Sequence, residues 1–406
     1  MNSVPSIALG LALALGGVSI GAPAFAQQPA EISLGEQERE ALQALKTALD
    51  ARNYPAATAA LATAQAAARS GYSRYLASAL QLRLGVETGS YGLQTTAIDS
   101  MITSGAVPAA DMPQLYKSQG ALAMSAGEYK DAEASFTRWV EAAPNDPEAL
   151  LALAEAKNLR KKTPEAVALI GRAIDLRTAA NQPVPESWYT RGLKHAFDAR
   201  AVPQSIALSR GLVAAYPTAE NWRDALLIRR DLGQLDPAAT IDLLRLLRSA
   251  GALAGERDYE TVAQALLDAG LPGEAKAVLD EGVAKKMIDP AKGSFKALIA
   301  TASKKAAAER GALKGLETKA MAAATGAAAL SAGDAFLSYG DHAKAAELYR
   351  AAIQKGSVDA NVANTRLGMA LGMAGQKVEA EAALRAVTGA RADLASLWLL
   401  WLAQRG

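Results

Sequence analysis

From about residue 38 to the C-terminus, apolar positions recur with the periodicity of amphipathic helices. Turn signals break the pattern at intervals near 34–38 residues. Within an interval, two apolar-striped stretches flank a glycine, which predicts a pair of antiparallel helices. The clearest interval is Pro113 to Asp146. There Tyr116, Gly120, Ala132, Phe136 and Pro144 occupy positions 4, 8, 20, 24 and 32, and Gly127 sits at position 15. Small residues at positions 8 and 20 let two crossing backbones approach. A large ring at position 4 fills the wedge between neighbouring pairs. Glycine at position 15 permits the φ > 0 turn that closes the first helix. Proline at position 32 stops the second.

The grid recurs along the chain. Leu150, Ala154, Ala166, Ile170 and Ala173 fill it in the interval from Pro147, and Trp188 and Gly192 open another that ends at Pro217. Trp222, Gly233 and Ala238 follow, then Tyr259, Ala263, Gly270, Ala275 and Leu279. Gly340, Ala345 and Tyr349 precede Gly368, Gly375, Ala380 and Leu384. The turn glycines Gly127, Gly233, Gly270, Gly340 and Gly375 set the register. Gly233 and Gly270 stand 37 apart, Gly340 and Gly375 stand 35 apart, and the 70 between Gly270 and Gly340 leave room for one degenerate pair. Poorer matches centre on Asn53-Tyr54 and Gly89-Ser90-Tyr91. The pattern resembles the tetratricopeptide repeat, whose signature runs W-x2-L-G-x2-Y, then A-x3-F, then P. The resemblance implies an all-α chain, a right-handed α-solenoid of about ten antiparallel helix pairs over 38–406. The best-marked repeats fall in 113–180, 222–282 and 326–390. No leftover stretch of about 100 residues remains for a catalytic domain.

The first 26 residues follow a different pattern. An apolar run from Ile7 to Ile20 leads to Pro23 and then Ala24-Phe25-Ala26, with small residues at −3 and −1 before Gln27. This predicts a secretory signal peptide at 1–26 and a polar linker at 27–37, although no Lys or Arg precedes the run. The run is short of the roughly 20 residues a membrane span needs, and no second stretch reaches that length. The mature chain is therefore expected to lack a transmembrane segment and to reside in the periplasm of a Gram-negative bacterium. A chain without cysteine is compatible with that oxidising compartment.

Composition narrows the chemistry. Lys+Arg 43 against Asp+Glu 41 leaves a net charge of +2, which points to no nucleic acid. Apolar residues make up 50% and aromatics only 5%, the balance of close-packed, Ala- and Leu-rich helices. With Cys 0 and His 2, thiolate catalysis and Cys-ligated zinc are excluded and a His site is hard to assemble. His195 and His342 fall in no H-E-x-x-H motif. Phosphate loops and G-x-S-x-G elbows are absent too. The expectation is a non-enzyme with no cofactor, no metal and no catalytic residue. A cell-wall hydrolase, the remaining enzyme class, requires a paired-carboxylate cleft.

Three features carry candidate binding. In the family resembled, first-helix positions 2, 5, 9 and 12 line a concave groove. Transferred here, they give Gln114, Lys117, Glu148, Glu155, Asn158, Tyr189, Arg223, Arg230, Arg257, Glu260 and Gln264. Glu186, Leu193 and Glu220 fall on the same positions. Arg223, Arg230 and Arg257, in adjacent units, raise the idea of an anion-accepting patch. The second feature is residues 285–319, with nine basic against three acidic residues. They read as a solvated helix face or as an electrostatic surface for lipid or polysaccharide. The third is the C-terminus, where Leu394, Leu397, Trp398, Trp401 and Leu402 form one stripe behind Asp393, an expected N-cap. This helix either sinks into the preceding pair or docks on a partner or a second copy. The resulting expectation is a scaffold that binds protein or peptide segments in the groove. The alternative is an accessory scaffold for envelope polysaccharide assembly or export.

Overall fold

The computed structural model describes residues 34–405. The leader at 1–26 and residues 27–33 of the linker lie outside the described residues. All regular structure among the described residues is helical. Contacts divide the chain into two units, residues up to Leu115 and from Tyr116 onward.

The first unit holds two helix pairs, α1 (Glu36–Asp50) with α2 (Tyr54–Ala67) and α3 (Gly71–Glu87) with α4 (Tyr91–Thr103). The weakly marked segment 38–110 therefore folds as regular pairs. Its turns stand where the sequence placed them: Asn53 and Ser90 cap α2 and α4 by accepting the Ala56 and Leu93 amides. Leu45, Leu49, Ala57 and Leu84 form the fully buried seam. Glu38 ties the start of α1 to that of α3, accepting the Gly35 and Arg69 amides at 2.8 Å each. Hydrogen bonds from Ser73 and these amides hold its carboxyl near pKa 2.

The next helices are α5 (Met112–Ala126), through which the unit boundary runs, and α6 (Tyr129–Ala142). Then come α7 (Pro147–Leu159) with α8 (Thr163–Ala179), α9 (Glu186–Asp198) with α10 (Val202–Ala215), and α11 (Ala219–Leu232) with α12 (Pro237–Ser249). Beyond them are α13 (Gly255–Asp268) with α14 (Pro272–Ala284), a single long helix α15 (Gly293–Ala322), α16 (Ala327–Ser338) with α17 (His342–Lys355), and α18 (Ala360–Met373) with α19 (Lys377–Arg385). A 3₁₀ turn, Gly389–Arg391, leads into α20 (Ala392–Ala403). Adjacent helix pairs of this kind make the fold a tetratricopeptide-like α-solenoid.

One packing rule recurs. A Cβ added to Gly120 would lie 2.3 Å from the Phe136 ring, one on Gly333 2.7 Å from Tyr349, and one on Gly368 2.5 Å from Leu384. Each partner stands 16 residues on. The small residue at position 8 thus receives the large one at position 24, and at Gly368 it also meets the backbone of Ala380 at position 20. Of the five turn glycines, Gly127, Gly270, Gly340 and Gly375 have φ between 74° and 80°. Gly233 does not: its φ is −89°, and Gln234 takes the left-handed conformation at 47°. A side chain at Gly233 is excluded instead by Arg229, which lies over it and donates to its carbonyl at 2.9 Å.

Two larger departures concern the C-terminal half. The degenerate pair expected between Gly270 and Gly340 is one helix of 30 residues, α15. Its sequence has no proline, and Gly311 and Gly315 run through it helically with open space around them. Nothing there supplies a turn, and the alanines and lysines favour continuation. The C-terminal helix also packs on more than the preceding pair. Trp401 Nε1 donates to the Ser249 carbonyl at 3.1 Å, Trp222 Nε1 to Gln404 at 3.1 Å, and Gln404 to the Val213 carbonyl at 2.9 Å. Leu394, Trp398, Trp401 and Leu402 are buried, so the stripe offered for a partner or second copy is covered within the chain, by the preceding pair α18–α19 together with α10–α12. Asp393 is not the N-cap. It lies inside the helix and accepts from Arg229 at 2.7 Å.

A buried ionic network fixes this return. Asp242, with no exposed side-chain surface, accepts from Arg245 (3.0 Å), Arg366 (3.2 Å) and Arg391 (2.7 Å). Glu274 takes Arg245, and Asp334 takes Arg366 at 2.6 Å and the Tyr349 hydroxyl at 2.8 Å. Three carboxylates thus balance three guanidiniums from helices up to 149 residues apart. Burial pushes the Asp242 carboxyl up, but the three guanidiniums more than reverse this and hold it below the usual range.

Candidate functional site

The first-helix face of the second unit forms an open depression of about 540 Å³ between α9 and α11. Helical periodicity puts its lining at positions 2, 6, 9, 10 and 13 of each repeat. From α9 these are Glu186, Thr190, Leu193, Lys194 and Phe197, with Asp198 beside them. From α11 they are Glu220, Asp224, Leu227, Ile228 and Asp231. The floor is apolar, and Phe197 is 55% exposed, a high value for an aromatic side chain. Five carboxylates surround it, against one lysine. Asp198 is paired with Lys194 at 3.2 Å, Asp231 with Arg230 at 2.7 Å, and Glu186 accepts from Asn221 at 3.0 Å. Glu220 and Asp224 are exposed.

This stripe is offset by one residue from the expected positions 5 and 12. Tyr189 is buried in the core, and Arg223 turns to the next repeat, where Asp258 accepts from it twice at 3.0 Å. Arg230 is neutralised by its neighbour Asp231. Two of the three arginines of the expected anion-accepting patch are thus paired within the chain, and the third, Arg257, lines a different depression. Phe197, Asp224 and Ile228 were missed by the transferred positions. An unexplained aromatic at the end of the α9 stretch was the available signal.

The other expected residues are spread out. Gln114 is exposed on α5. Lys117 reaches Glu148 at 3.3 Å and lies 5.0 Å from the Trp139 ring centroid. Glu155 is half-buried, and Asn158 accepts from Thr163 at 3.2 Å, closing the α7–α8 turn. Arg257, Glu260 and Gln264 do come together, lining a second shallow depression of about 640 Å³ between α13 and α15. Gln264 there donates to Asp268 at 2.7 Å.

Two larger cavities flank α15, of about 750 and 950 Å³. Glu309 and Asp334 line the second, and burial raises both carboxyls. Their oxygens are engaged: Glu309 accepts from the Tyr339 hydroxyl at 2.9 Å, and Asp334 from Tyr349 and Arg366. No group of three His, Cys, Asp or Glu among the described residues is placed to hold a metal ion. His195 and His342 are half-buried, and desolvation lowers both. No helix among the described residues is long and apolar enough to cross a membrane.

No protein-family model and no curated protein matches the sequence. Among solved structures, the chain is similar to a tetratricopeptide repeat protein from Parabacteroides merdae, at 13% identity and a TM-score of 0.33 over 66% of this chain and all of that one. It is also similar to a double mutant of MamA from RS-1, at 14% identity and 0.32 over 49% of this chain and 98% of that one. A third similar structure is the TPR2AB-domain:pHSP90 complex of yeast Sti1, at 12% identity and a TM-score of 0.26 over 73% of this chain and all of that one.

Proposed function

We propose that this chain is a non-enzymatic scaffold that holds segments of other proteins, working in the periplasm of a Gram-negative bacterium. The observation that carries the binding reading is the α9–α11 depression, with an apolar floor, an exposed Phe197 and a surplus of carboxylates. Such a surface fits a basic segment that places one apolar side chain against Phe197 and its cations against Glu220 and Asp224. The compartment rests on the leader pattern at 1–26.

A labelled peptide alternating Lys and Leu tests the groove. Binding is expected to weaken about tenfold in the Glu220→Lys, Asp224→Lys double variant and to fall with added salt. Equal affinity for wild type and variant overturns the reading. Envelope fractionation with N-terminal sequencing checks the compartment, with Gln27 expected as the first residue. The second reading, an accessory role in envelope polysaccharide assembly, draws on the solvent side of α15. Lys296, Lys304, Lys305, Lys314 and Lys319 are exposed there, and no carboxylate of the described residues pairs with them. Salt-sensitive retention on an acidic polysaccharide supports that role, and its absence removes it.

A further inference from the structure

The 750 Å³ cavity is lined by residues of α12, α14, α15, α16, α17, α18 and α20, and by the turn before α17. Its wall carries five cations, Arg245, Arg248, Lys276, Arg310 and Arg405, against three carboxylates, Glu274, Asp280 and Glu281. Three of the cations are paired with these carboxylates. Arg245 lies 3.0 Å from Glu274, Arg248 2.8 Å from Glu281 and Lys276 2.5 Å from Asp280.

Arg310 and Arg405 remain. Neither meets a carboxylate among the described residues, and each lies over an aromatic ring instead. The Arg310 guanidinium is 6.0 Å from the Tyr339 ring centroid, and that of Arg405 is 4.5 Å from Trp401. Both rings line the same cavity and both are anchored. The Tyr339 hydroxyl shares its one proton between the Glu309 carboxyl and the Ala306 carbonyl, each at 2.9 Å, and Trp401 Nε1 donates to the carbonyl of Ser249. A ring face holds a guanidinium without consuming its N–H donors. Two prepositioned donor edges therefore border one cavity with a net charge of two, and guanidinium edges take carboxylate or phosphate oxygens in pairs. Ala277, Leu337 and Met373 give the wall between them an apolar character suited to an organic body.

We propose that this cavity binds a small organic polyanion bearing carboxylate or phosphate groups, with Arg310 and Arg405 as its anion-binding residues. No residue of the α9–α11 depression lines it, so this site and the peptide groove stand or fall separately.

Isothermal titration at low ionic strength tests the site, with citrate as the carboxylate probe and inorganic pyrophosphate as the phosphate probe. At least one is expected to bind with a Kd below about 1 mM. That affinity is expected to fall tenfold or more in Arg310→Gln and in Arg405→Gln. Arg350→Gln, at an exposed arginine outside the cavity, is the control and is expected to bind like wild type. Because Arg405 lies on Trp401, the binding probe is also expected to change tryptophan emission in wild type but not in Trp401→Phe. The probe that binds more tightly identifies the anionic group. No binding of either probe at millimolar concentration overturns the proposal, as does unchanged affinity in both Arg variants.

Discussion

At the scale of single residues, the fold depends on where a side chain is missing. Gly120, Gly333 and Gly368 each leave the space that a residue sixteen positions later occupies. Gly368→Val would drive a branched side chain into Leu384. The expected loss is about 1–3 kcal/mol, read as a lowered melting temperature. Glu133 is a different kind of single-residue lock. It takes Lys157 at 3.1 Å, Lys162 at 2.8 Å and Arg160, joining α6 to the end of α7. Burial alone would raise its carboxyl, but the three cations bring it down to about 2. A carboxyl lowered on folding stabilises above its unfolded pKa, so this contribution is complete above about 4.5 and is lost as pH falls towards 2. Glu133→Gln is expected to lower the melting temperature at pH 7 and to flatten its decline between pH 4.5 and 2. An unchanged acid limb in that variant would show that Glu133 contributes nothing.

At the scale of elements, α12 and α15 are opposites. Residues 241–247 of α12 are buried in succession, an all-round burial that belongs to a helix enclosed by others. In α15 only Phe295, Ala302, Ala306 and Ala320 are buried, with Leu298, Ile299, Leu313 and Leu316 packed half-buried against the core. Gly311 and Gly315 act as plain helix weaknesses, with no neighbour requiring the absence of a Cβ. Substituting each with Ala is expected to stabilise by about 0.5–1 kcal/mol, detectable as slower amide exchange through the middle of α15. Slower exchange is not expected if that stretch must bend.

At the scale of the second unit, the return of α20 onto α10–α12 replaces the free end that a repeat array otherwise shows. Deleting residues 392–406 uncovers the apolar surface that Trp398 and Leu394 bury. Lower stability, dye binding to exposed apolar surface and faster exchange in α12 are expected; wild-type exchange there would contradict the closure. Asp242→Asn leaves three buried guanidiniums short of a carboxylate and is expected to cost about 3–5 kcal/mol. The polyanion cavity belongs to this scale too, because Trp401 and Arg405 reach it only through the returned helix.

Local spacing was enough to determine the helix pairs outside 293–322, where a pair was expected and one long helix stands. Position-8 glycines, asparagine and serine at turns, and prolines at helix starts act within about 20 residues, and each states its own steric or hydrogen-bonding requirement. The lack of cysteine and of catalytic motifs was equally plain. Side-chain direction was less legible. A shift of one residue around a helix, about 100°, moved Tyr189 from the expected groove to the core and brought Phe197 and Asp224 out. Charge pairing was hidden as well, because Arg223 finds Asp258 only 35 residues later, in the next repeat. The furthest-reaching contacts had no local signal at all. Arg391 meets Asp242 across 149 residues and Trp222 meets Gln404 across 182. A stripe of Leu and Trp says that a helix must be covered, and only the tertiary arrangement decides which surface covers it.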